Sequence, residues 1–269
     1  MKRIVLVFAV ATVMTVFALP SPSHAAVTQH QSSGVGQDSF LVYGDSLAWE
    51  SANFIQQRMG NEVFVHSFPA SAPCQWVTWL NQDLATYHPK VVGIISAGNP
   101  CPGQTIGSLA YYFQYEDDLN TMFATATAAG AKVVFFDAPP MLDPARNIAL
   151  SEIPAMAQAL AANYPAVTIS TDVATALSSD GAYTPTMPCL ASEGAAEGCL
   201  QHSITIRTTV GPQAGLHLCP AGLESDFPWP CPPTRAASFA SPKRLSPGCD
   251  TLETSWPNKG KGEGVPFSF

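Results

Sequence analysis

Phe40-Leu41-Val42-Tyr43-Gly44-Asp45-Ser46-Leu47 is an apolar run that breaks at a glycine just before a helical pattern begins. Four consecutive apolar residues after a polar lead-in read as a buried strand. Gly44 lets the backbone turn sharply at its end. A serine opening the next helix would then sit at the C-terminal edge of a sheet, beside helix N–H groups and the positive end of the dipole. An oxyanion formed there would be stabilised, which makes Ser46 a candidate nucleophile. Asp-Ser is also a common helix cap, so the tripeptide alone fits a merely capped helix too.

Outward from this stretch, strands and helices alternate. Strand patterns cover 40–43, 62–68, 91–96, 132–137 and 166–170, and helical patterns cover 47–59, 75–87, 108–129 and 144–164. Such alternation predicts an α/β sandwich with a parallel central sheet. Right-handed crossovers bring the loops after the strands to one edge, where ligands bind. Three of those loops carry chemistry. The first holds Ser46. The second, Phe68-Pro69-Ala70-Ser71-Ala72-Pro73-Cys74, is built of small residues that let backbone N–H groups approach a ligand. The third, Ser96-Ala97-Gly98-Asn99-Pro100-Cys101, presents an amide side chain after a glycine. The backbone N–H groups of Ser46 and Ala70 with the Asn99 amide make a candidate three-donor oxyanion hole. By itself Asn99 also reads as a turn or cap residue.

Residues 1–26 begin with Lys2 and Arg3, run apolar from Ile4 to Leu19 and end in Pro-rich sequence with small residues at 23 and 25. This reads as a secretory signal cleaved near Ala25-Ala26. A run of sixteen residues is short for the competing reading, a membrane anchor. Residues 27–38 form a polar, Gly-Ser-containing lead-in, 39–240 the folded domain and 241–269 an irregular tail. Twenty acidic residues against twelve basic ones argue against a nucleic-acid partner. An apolar content of 46% excludes general disorder. Seven cysteines in an exported chain, none in a CxxC pair, read as disulfides before metal ligands. Proximity pairs Cys189 with Cys199 and Cys219 with Cys231; Cys74 and Cys101 then pair across the top of the sheet, and Cys249 is left over. Connectivity is not fixed by sequence, so other schemes stay open.

Gly44-Asp45-Ser46-Leu47, the small-residue second loop, Gly98-Asn99 and a late histidine in Leu216-His217-Leu218-Cys219-Pro220 follow one another in an order that resembles the GDSL, or SGNH, hydrolase superfamily. The resemblance spans residues 40 to about 220. It implies a flavodoxin-like three-layer α/β/α sandwich and a serine acyl hydrolase. In that reading Ser46 is the nucleophile, His217 the base, and Ser46 N–H, Ala70 N–H and Asn99 the oxyanion donors. No cofactor or metal is implied.

Two positions depart from the family pattern. Ala70 stands where glycine is usual, and alanine takes a positive φ only with strain. The pattern Asp-x-x-His is also broken, because Ala214 stands three residues before His217. The imidazole would then be held by a main-chain carbonyl, as in a Ser-His dyad, or by a displaced acid such as Glu224 or Asp226. Restoring the acid with Ala214→Asp should on this reading raise activity. Among the other histidines His202 is the competitor. Asp45 reads as a brace for the loop.

Residues 178–214 form a long insertion with one strand pattern at 203–208, and a short helical pattern follows at 234–240. The expected protein is a secreted, monomeric serine esterase or lipase-like hydrolase of small-molecule, lipid or carbohydrate esters. Acyl transfer to, or deacetylation of, cell-envelope carbohydrate, and a catalytically weak binding protein, are the alternatives.

Overall fold

The computed structural model describes residues 40–59, 62–178, 180–189, 199, 201–208 and 214–219. The signal, lead-in and tail segments, the helical pattern at 234–240, Glu224, Asp226, Cys231 and Cys249 lie outside the described residues.

Five strands, β1 (Phe40–Gly44), β2 (Val63–Ser67), β3 (Val91–Ile95), β4 (Lys132–Phe136) and β5 (Val167–Ser170), form one parallel sheet in the order β2-β1-β3-β4-β5. Helices α1 (Ser46–Met59), α2 (Pro73–Tyr87), α3 (Leu109–Ala128), α4 (Pro144–Ala161) and α5 (Asp172–Leu177) connect the strands or follow them. The result is a flavodoxin-like three-layer sandwich.

Strand alternation sets the layers. Leu41, Tyr43, Val92, Ile94, Val133 and Phe135 face a core shared with α2, α3 and α4. Phe40, Val42, Val91, Val134 and Phe136 face the opposite side, with Ile55 of α1 and Val173 of α5. The helices match these faces: Tyr111, Tyr115, Leu119, Met122 and Ala126 recur every three or four residues along α3 and are all buried. Ends are capped as their sequences dictate. Pro73 opens α2, Ser108 Oγ accepts Tyr111 N–H at 3.2 Å on α3, and Asp143 Oδ1 accepts Ala145 N–H at 2.9 Å on α4.

Because β1 lies between β2 and β3, the chain leaves β1 toward one side and returns on the other. The crevice beyond the strand ends therefore opens between β1 and β3, carrying Ser46 on one flank and Asn99 on the other. A third apolar cluster, with Leu47, Ala97, Met141, Leu150, Leu177, Ile206 and Leu218, floors this edge. The insertion contributes a small antiparallel pair, β6 (Thr186–Pro188) and β7 (Ser203–Thr205), and an Arg207–Leu218 bridge docks the histidine segment on it. Among the described residues no helix is long and apolar enough to cross a membrane.

Candidate active site

Gly44 makes the turn into α1 possible. A Cβ there would lie 2.3 Å from the Ala48 Cβ and 2.4 Å from the Ile95 carbonyl oxygen, so only glycine lets helix and strand approach this closely. Ser46 follows as the first residue of α1 and is buried. Asp45 beside it is fully buried and acts as a hub. Its Oδ1 accepts Leu47 N–H at 3.0 Å; its Oδ2 accepts Ala97 N–H and, at 3.1 Å, Asn99 Nδ2. One carboxylate thus ties the Ser46 loop to the third loop. Burial pushes Asp45 up to about 7, against the opposing effect of the Ala97 and Leu47 N–H groups.

The second loop is latched to the same strand end. Phe68 N–H donates to Gly44 O at 3.2 Å. Ser71 Oγ stands 2.7 Å from Phe68 O and 3.2 Å from Gly44 O, and it accepts the Trp76 indole N–H at 2.8 Å. Between these anchors Ala70 is exposed with φ +62°, in the left-handed region. Alanine adopts there a conformation that glycine takes without strain, so the loop carries local strain at this position. A Cys74–Cys101 disulfide, Cα–Cα 6.2 Å, joins this loop to the one carrying Asn99. The third loop is held from below by Tyr111 OH, which donates to Gly98 O at 2.9 Å.

The histidine is held by a carboxylate that sequence reasoning missed. His217 is buried, and its Nδ1 lies 2.5 Å from Glu50 Oε1. Glu50 Oε2 accepts Leu218 N–H at 2.7 Å. Because a carboxylate only accepts, this pairing puts the ring proton on Nδ1 and leaves Nε2 as the basic nitrogen. Glu50 is four residues after Ser46 on α1, on the same helix face and about 6 Å further along the axis. That spacing was the available signal: an acid one turn beyond the serine, among the buried positions Leu47, Ala48 and Ser51. Nothing local pairs it with a histidine 167 positions away.

Charges around the ring act in both directions. Burial pushes His217 down to about 4, with Arg146 and Arg207 adding to that effect and Asp45 opposing it. An ionised acceptor on Nδ1 favours the charged ring. Arg207 is itself buried and donates Nη2–H to the carbonyls of Gly215, at 2.7 Å, and Leu216, at 3.3 Å. Gly215 has φ +74°, and a Cβ there would meet the Leu142 Cβ at 2.3 Å, so the histidine loop packs tightly on the loop before α4. His202 is exposed beside β7. Cys189 is bonded to Cys199; Cys219 is disulfide-bonded to a partner outside the described residues.

Among the described residues one group has atoms close enough to share a metal ion, Cys74, Cys101 and Asp118, and its two sulfurs are bonded to each other.

No protein-family model matches the chain, and no curated protein matches it. Solved structures with a similar trace include TesA, with 19% identity, a TM-score of 0.47, and 80% of this chain and 99% of that chain covered. A GDSL-like lipase from Bacteroides thetaiotaomicron has 13% identity and a TM-score of 0.45, with 82% and 90% covered. A lipase/acylhydrolase from Enterococcus faecalis has 18% identity and a TM-score of 0.39, with 49% and 74% covered. The blocks around Ser46, Ala70, Asn99 and His217 stand in the order on which the sequence resemblance to the GDSL/SGNH hydrolase superfamily rests.

Proposed function

We propose that this protein is a serine ester hydrolase working through Ser46, His217 and Glu50. The observation that supports it most is the Glu50 carboxylate, which accepts from His217 Nδ1 and Leu218 N–H while sitting one helical turn beyond Ser46. A carboxylate in that place does for the imidazole what the acid missing at Ala214 would do.

Ser46 Oγ attacks the ester carbonyl carbon as its proton passes to His217 Nε2. Glu50 stabilises the imidazolium and keeps its tautomer fixed. The carbonyl oxygen becomes an oxyanion facing the N–H groups of Ser46 and Ala70 and the Asn99 amide. Collapse of the tetrahedral intermediate expels the alcohol, which takes the proton from His217 and leaves an acyl-enzyme. A water then gives a proton to His217, attacks the acyl carbon and releases the acid while Ser46 is re-protonated. The Cys74–Cys101 and Cys189–Cys199 disulfides, with the signal read in 1–26, support export to an oxidising compartment.

The test is covalent labelling by a fluorophosphonate together with p-nitrophenyl acetate hydrolysis. Wild type should label and turn over, and Ser46→Ala should do neither while keeping its circular dichroism. An unlabelled, inactive wild type would leave the silent-binder reading in its place.

A further inference from the structure

Asn99 is held at both ends of its amide, by an acceptor on one side and a guanidinium on the other. At one end Nδ2 donates to Asp45 Oδ2 at 3.1 Å. At the other, Oδ1 accepts Arg146 Nη1–H at 3.3 Å. Arg146 comes from the first turn of α4, where Asp143 caps the helix and Pro144 opens it, and its side chain is half-buried against the catalytic edge. Its charge adds to the burial that pushes His217 down and opposes the burial that pushes Tyr111 up, so its field reaches the base as well as the third loop.

We propose that Arg146 is a positioning residue for the oxyanion hole, fixing and polarising the Asn99 amide so that its second Nδ2 hydrogen is aimed at the developing oxyanion. Asp45 Oδ2 already accepts Ala97 N–H and so serves as an acceptor here, and a guanidinium has no lone pair to offer. Between them only one orientation of the amide satisfies both partners. The flipped orientation would set the amide oxygen against Asp45 and the NH₂ group against Arg146. The other Nδ2 hydrogen stays available for substrate. A cation on Oδ1 draws electron density from the amide and makes Nδ2–H a stronger donor. This contribution grows as negative charge develops on the substrate, so it acts on turnover rather than on ground-state binding. The inference rests on the ester-hydrolase reading above and adds a residue from α4 that none of the ordered sequence blocks contains.

The experiment is a double-mutant cycle on p-nitrophenyl acetate with Arg146→Met, Asn99→Ala and both together. Removal of a whole oxyanion donor lowers turnover by about a hundredfold or more. Arg146→Met, which keeps the apolar stem and removes the donor, should lower kcat by about tenfold with KM within about twofold. The double variant should be no slower than Asn99→Ala alone. Unchanged kcat in Arg146→Met, or losses that multiply in the double variant, would overturn the proposal. If the methionine variant does not reach the wild-type circular dichroism, Arg146→Lys keeps the charge, loses the planar fork and should show the same dependence on Asn99. Fluorophosphonate labelling separates the two levels. An unlabelled, inactive wild type overturns both readings, whereas a labelled, active wild type with an unaffected Arg146 variant overturns this one only.

Discussion

Glu50 sits fully buried on the helix that begins with Ser46, and both of its oxygens are committed to the histidine segment. Replacing it with glutamine preserves shape and removes charge. Glu50→Gln should lower kcat by at least about a hundredfold, because an amide neither stabilises the imidazolium nor enforces the tautomer. The pH profile gives a second readout. An anion on Nδ1 raises the imidazole pKa, so its loss should move the acidic limb of kcat/KM to lower pH. Turnover within twofold of wild type would remove Glu50 from the mechanism. The same contact revises the expectation for position 214: with Nδ1 already engaged by Glu50, Ala214→Asp should bring no gain in p-nitrophenyl ester hydrolysis. Ala70 carries a different prediction. Its φ of +62° costs alanine of order 1 kcal/mol, partly offset by the greater unfolded-state freedom of glycine. Ala70→Gly should therefore leave turnover intact and raise urea stability by up to about 1 kcal/mol. A loss of stability in that range instead would show that the position is unstrained.

At the scale of elements, a covalent bond joins the loop that carries Ala70 to the loop that carries Asn99. Cys74 in the first turn of α2 is bonded to Cys101, two residues beyond Asn99, across a separation of 27 residues. The chain-entropy account gives a closure of this length about 3 to 4 kcal/mol. The Cys74→Ala, Cys101→Ala double variant should lose a stability of that order in urea titration. It should also lose kcat more than KM, because the Ala70 and Asn99 donors are no longer held at one separation. The strands and main helices were legible because each repeats its apolar residues at a two- or four-residue spacing over its whole length. Their ends shifted by one to three residues, as at α2, which starts at Pro73 rather than Gln75 because a proline fits the first turn. The six-residue α5 and three-residue β6 were too short to show a period. In the candidate site, Ser46, Ala70, Asn99 and His217 stand in ordered blocks beside strands. Glu50 carries only its spacing from Ser46, and Arg146 carries no local signal, since each is defined by a partner distant in sequence. A helical reading of 46–50 would have shown the acid on the serine's face but not what it touches.

Across the whole molecule, two buried groups that titrate in opposite senses set part of the pH dependence of stability. Asp45 holds its proton to about 7 in the folded protein and gives it up near 3.8 when unfolded. Its contribution to stability is therefore present at low pH and lost as pH rises from about 4 to 7. His217 stays neutral to about 4 when folded but takes a proton near 6.5 when unfolded, so its contribution is lost as pH falls from 6.5 toward 4. Each slope approaches about 1.4 kcal/mol per pH unit in the shared window, and the two oppose each other. Asp137, pushed up to about 6 chiefly by burial, adds to the Asp45 direction, so the pairwise cancellation is best read from differences between variants. Urea stability measured from pH 4 to 7 should show wild type losing ground to His217→Gln as pH falls below 6.5. It should show wild type losing ground to Asp45→Asn as pH rises from 4. Stability curves that run parallel for wild type and both variants would mean that neither group titrates away from its ordinary range. The balance of charge at the catalytic edge would then have to be set by other residues.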